Sequence, residues 1–148
     1  MIAKSWWVRM TACCLLASTV SIAALSAQAA APAAPAALAT VRIPQAVTAN
    51  GQPLPAGTYS VRVSSEKVAP VVGQGPDSAR WVEFVQGGQV RGKELATVVA
   101  PADVKAVAKR TPPAEGSGLV TAIGSEFVRV WVNHGGSQYL VHLTVAPR

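Results

Sequence analysis

The chain has 148 residues, half of them hydrophobic and only 14% charged, with a formal net charge of +6. Once an export segment is set aside, that length leaves material for one ordinary domain rather than two. The basic residues are scattered, with only Lys105, Lys109 and Arg110 near one another, so the dense basic stripe of a specific nucleic-acid binder is missing and no nucleic-acid partner is expected.

The first segment opens with Lys4 and Arg9, runs through uncharged apolar residues from Met10 to Leu25, and ends in Ala27-Gln28-Ala29. A positive start, an apolar middle and a small-x-small close predict a Sec-type signal peptide over residues 1–29, cleaved after Ala29. The apolar run is shorter than the ~20 residues a membrane span needs, so no stable transmembrane span is expected after cleavage. Cys13 and Cys14 lie inside this segment, with the apolar stretch after them rather than before, which makes a poor lipidation site. The mature chain would then hold no cysteine, which excludes disulfides, thiol chemistry and thiolate-bound metal. Removing Lys4 and Arg9 from the 13 basic residues leaves 11 against seven acids, a net charge of +4. Such a dispersed charge favours solubility and weak attraction to anionic envelope surfaces. The expected location is bacterial periplasm or the extracellular space.

Residues 30–39, AAPAAPAALA, read as an extended alanine-proline spacer, because repeated proline blocks helix continuation. The folded domain is then expected over 40–148, enough for one modest core. Two short pieces, 41–43 and 46–48, can pair at a sheet edge with Pro44 between them, and Asn50-Gly51 predicts a tight turn. LPAGTYSVRV, residues 54–63, is a proline-glycine turn entering a strand, with Tyr59, Val61 and Val63 on the core side. Val68 to Gly73 reads as a short edge strand, interrupted by Pro70, and residues 73–78 as a loop. Strands are predicted over 80–86 and 89–100, turned at Gly87-Gly88 and bulged at Gly92. Residues 101–110 suit one short helix, with Pro101 and Asp103 at its start, Lys109 and Arg110 at its end, and Val104, Val107 and Ala108 inward; a strand is the alternative. Residues 111–118 read as a loop. The hairpin 126–133 and 138–145, joined at His134-Gly135-Gly136-Ser137, is the best-determined element. Val128, Val130, Val132, Tyr139, Val141, Leu143 and Val145 form its core face and the centre of the fold.

The LPAGTY phrase followed by alternating residues resembles the small uncharacterised secreted bacterial β-rich proteins that carry this strand motif after an export signal. That resemblance covers about a dozen residues and the general layout. It implies a β-sandwich and brings no activity and no functional residue. LPAGT also differs from a sortase signal, which has Thr before Gly.

The chemistry-bearing residues are few. His134 and His142 are the only histidines, and a metal site needs three or four converging ligands. Serines at 117 and 125 lack the nucleophile-elbow spacing, and Gly73-Gln74-Gly75 runs into proline instead of opening a helix. Catalytic, cofactor-binding and metal residues are therefore assigned to none. One face of the terminal hairpin carries Phe127, Arg129, Trp131 and His142, an aromatic platform with hydrogen-bonding neighbours of the kind β-sandwich modules use to hold sugar rings. The competing expectation is that Trp131 packs under residues 101–110 or 80–86. Trp81 could face either side.

Together these features predict an all-β antiparallel sandwich or flattened barrel of about seven strands with at most one short helix. The expected function is a non-catalytic exported envelope or secreted module binding a protein or glycan partner. A small periplasmic enzyme or metal-binding protein using His142 with a carboxylate is the alternative.

Overall fold

The computed structural model describes residues 35–147, apart from residues 70, 71, 74, 76 and 109. The expected signal peptide and the spacer up to residue 34 lie outside the described residues.

Among the described residues nine strands run in order: β1 (Ala37–Ile43), β2 (Val47–Ala49), β3 (Gln52–Leu54), β4 (Gly57–Val63), β5 (Ala79–Gln86), β6 (Gln89–Val99), β7 (Gly118–Ile123), β8 (Phe127–His134) and β9 (Ser137–Val145). A single-turn helix, α1 (Val104–Val107), sits between β6 and β7. All pairing is antiparallel, and the hydrogen-bonded path β1-β4-β5-β6-β9-β8-β7 curls into a nearly closed, barrel-like wall of seven strands. Of the two expected forms, the structure takes the flattened barrel.

Alternation decides which side of each strand fills the barrel. Val128, Val130 and Val132 of β8 and Val141 and Leu143 of β9 are fully buried, with Tyr139 and Val145 packed against them. Ile43, Val61, Val82 and Phe84 complete the core from the opposite wall. Tyr59 is buried too. Its ring meets Phe84 edge-on at 6.3 Å, and its hydroxyl donates to the Pro55 carbonyl at 2.7 Å. Burial pushes its pKa up, against the opposing charge of Arg91. The LPAGTY turn is thus fastened by the tyrosine four residues on. Trp81 is half-buried on the outer side, with the Lys93 ammonium 5.0 Å from its ring centroid.

Turn chemistry sets the hairpin registers. Asn50-Gly51 and Gly135-Gly136 all have positive φ, the conformation a two-residue hairpin turn demands. The Gly92 bulge appears as expected: Phe84 faces Gly92 while Val85 faces Val90, so Arg91 is the extra residue. Gly92 also makes room for the β2–β3 hairpin, since a Cβ there would lie 3.1 Å from Ala49 and 3.2 Å from Leu54.

Four expectations are corrected. The strand begins at Ala37, inside the expected spacer, because Leu38 and Ala39 are buried and Ala39 pairs with Val61. The pieces around 41–43 and 46–48 do not pair; β1 pairs β4, whereas β2 pairs β3 and the end of β9. Val68, Ala69, Val72 and Gly73 form no strand, because β4 and β5 already have a neighbour on both edges. The helix is four residues long rather than ten, as a nucleus without a side-chain cap gains little from propagation. Two strands were not anticipated at all, β3 and β7.

Candidate functional site

The outer face of β7-β8-β9 is a ladder of cross-strand rows. Register aligns Leu119, Trp131 and Leu140 in one row, then Thr121, Arg129 and His142, then Ile123, Phe127 and Thr144. These are the outward partners of the core valines, so the same alternation that buries Val130 presents Arg129 and Trp131.

The segment following β6 crosses this face. Pro101 lies against the β8–β9 turn, where a Cβ on Gly136 would approach it to 3.4 Å. The Asn133 side-chain amide donates to the Pro113 carbonyl at 2.9 Å. Beneath the crossing, Val99, Gln138 and Trp131 are all buried although they point away from the barrel core. Val99 opposes Gln138 across β6–β9, and the Trp131 indole N–H donates to Gln138 Oε1 at 2.6 Å. That bond satisfies a donor that burial would otherwise strand.

Beside this covered strip a cleft of about 570 Å³ remains open. Val104 and Ala108 line one side, Leu119, Thr121 and Ile123 the other, with Trp131, Gln138 and Leu140 between them, and Arg110 and Arg129 bring the charge. Ligand pockets typically occupy ~300–1,000 Å³ and combine apolar walls with few polar groups, so size and lining both fit.

Of the four residues predicted from sequence, the structure gathers three. Trp131 forms part of the cleft wall at 9% exposure, not an open platform. Arg129 lines the same cleft and donates its Nε–H to His142 Nε2 at 2.9 Å. An imidazole accepting at Nε2 is neutral, and burial, then the neighbouring Arg129 charge, hold the His142 pKa below its ordinary value. Phe127 stands apart, 40% exposed and outside the cleft. Sequence reasoning missed Leu119, Thr121 and Ile123, although the alternation in GLVTAI could have placed them. It also missed Arg110 and Gln138, whose roles depend on the crossing segment.

The expectation that His142 works with a carboxylate meets a guanidinium instead. His134 is the histidine near a carboxylate, 3.9 Å from Glu115 Oε1. Glu115 chiefly accepts the backbone N–H groups of Gly135, at 2.5 Å, and Gly136, at 3.3 Å. Among the described residues no group of three or more His, Cys, Asp or Glu is placed to hold a metal ion. Nor is any helix among them long and apolar enough to cross a membrane.

Glu115 ties the loop before β7 to the β8–β9 turn. The two N–H bonds hold its pKa below the ordinary glutamate value. A depressed carboxylate stabilises the fold above its unfolded value and loses that contribution as pH falls through the folded value. The Gly135 and Gly136 amides should therefore lose exchange protection as the pH falls below the ordinary glutamate range and through the lowered folded value. Glu115→Gln should flatten that acid response, as read by NMR amide exchange.

Comparison with protein-family models, curated proteins and solved structures finds no match to this chain.

Proposed function

We propose that this chain is an exported, non-catalytic envelope or secreted module that binds its partner in the cleft outside β7-β8-β9. The observation that carries this reading is the crossing segment. It buries Trp131, Val99 and Gln138 on the outward face, yet leaves a cleft of about 570 Å³ beside them. A segment serving only to cover apolar surface would close over Leu119, which stays 40% exposed. Between the two partner classes expected, a protein fits better than a glycan. A sugar ring stacks on an open aromatic face, and at 9% exposure Trp131 does not present one.

Site-specific photocrosslinking tests the reading. A benzophenone side chain at Leu119 should trap a partner from envelope extracts, and Ala108→Trp, which fills the cleft, should abolish the product. The same probe at Val90, exposed on β6 away from the cleft, should trap none. Equal trapping at both positions would move the binding surface elsewhere.

A further inference from the structure

We propose that the group which the protein partner seats in this cleft is an amphipathic carboxylate, an apolar side chain or chain end bearing one anionic head. The inference rests on the reading of the cleft as the binding site and adds its ligand chemistry. Three observations carry it.

The first is charge. Arg110 and Arg129 line the cleft, and no carboxylate does. Among the described residues neither guanidinium lies within ion-pair distance of an acid. Five of the seven acids are occupied elsewhere: Glu66 with Lys93, Asp77 with Arg80, Glu83 with Arg62, Glu94 with the Asn50 backbone amide, and Glu115 with the β8–β9 turn; the other two, Asp103 and Glu126, are not among the residues lining the cleft. Two cations facing one partly enclosed apolar space repel each other, and an anion between them relieves that repulsion.

The second is orientation. Arg129 gives its Nε–H to neutral His142. A guanidinium carries five N–H donors, so four remain for a ligand, and their fork matches a carboxylate. His142 is thus a positioning residue: it fixes the Arg129 head and adds no competing charge.

The third is the apolar remainder. Leu119, Ile123, Leu140, Val104 and the Trp131 ring offer hydrocarbon and aromatic surface, which a small polar anion such as acetate or phosphate would leave unfilled. An apolar body of several carbons gains by covering it.

Decanoate is the probe, followed by calorimetry and by the NMR signal of the Trp131 indole N–H. Decanoate should bind and shift that signal, while decanol should bind at least about tenfold more weakly. Arg110→Gln and Arg129→Gln should each weaken decanoate by about tenfold, with Arg129→Lys intermediate because it keeps charge and loses the fork. Affinity should also fall as salt is raised. Arg110 is exposed, so its variant tests the charge without threatening the fold. Equal binding of decanoate and decanol, or unaltered binding by both Gln variants, overturns the anion assignment. An absence of decanoate binding overturns the inference as well, as does capture only of a peptide with an amidated end. None of these results touches the crosslinking pattern at Leu119, so the ligand chemistry can fail while the binding surface stands.

Discussion

Val130→Asp should destabilise the domain by about 3–5 kcal/mol, a large fraction of the roughly 5–15 kcal/mol that holds a domain folded. Val130 is fully buried in β8, paired with Val120 of β7 on one side and Val141 of β9 on the other. A carboxylate there would lose its water with no partner within the core, or would have to protonate to stay. Arg62→Ser is the matched contrast. Arg62 pairs across strands with Glu83 at 2.7 Å, with side-chain exposures of 24% and 16%. Partly exposed pairs contribute about 0–1 kcal/mol, so its loss should be small. For a domain of about a hundred residues each kcal/mol moves the melting midpoint by roughly 4–8 °C. The two variants should therefore differ plainly in a thermal scan, and equal shifts would mean that the inner and outer faces of the sheet are reversed.

That inside-outside assignment was readable in the sequence wherever a strand alternates. The β8–β9 hairpin, the Tyr59 anchor and the Gly92 bulge follow from local pattern and turn chemistry alone. So does the grouping of Arg129, Trp131 and His142, because a period of two places them together whatever else the chain does. What the sequence concealed depends on partners distant along the chain. Ala37 to Ala39 looked like spacer because alanine carries no strong strand preference, yet the stretch pairs with β4. Residues 68–73 have strand-like composition, yet Val68, Ala69, Val72 and Gly73 form no strand, since β4 and β5 on either side of them already have both edges paired. The cleft itself was illegible. It exists because the chain leaving β6 crosses β9 and β8 before returning as β7, and nothing local in residues 101–117 encodes that path.

Gly118→Val should cost about 1–3 kcal/mol through overpacking at the barrel seam. The wall is hydrogen-bonded from β1 round to β7, but among the described residues no ladder joins β7 back to β1. Closure there is by side-chain packing, with β7 and β8 lying close to β1. Gly118 permits that approach: a Cβ on it would stand 2.4 Å from Val41 Cγ1, and Val41 is buried at 3% exposure. No real contact is so short, so either β7 lifts or Val41 shifts. Removing the obstacle gives the diagnostic. Val41→Ala alone should destabilise by loss of buried methyl groups, yet combined with Gly118→Ala the pair should be less damaging than the sum of the single variants. Gly75→Ala is the control, an exposed glycine whose Cβ would meet nothing within 4 Å, and it should lie within about 0.5 kcal/mol of the parent. Strict additivity of the Val41 and Gly118 variants would show that β1 and β7 are not pressed together. The seam also bears on the cleft, because Leu119 follows Gly118 directly and Thr121 and Ile123 continue the same wall. A β7 displaced from Val41 carries those three side chains with it. Gly118→Ala should therefore weaken decanoate binding even at temperatures where the domain remains folded, a loss that stability alone would not explain.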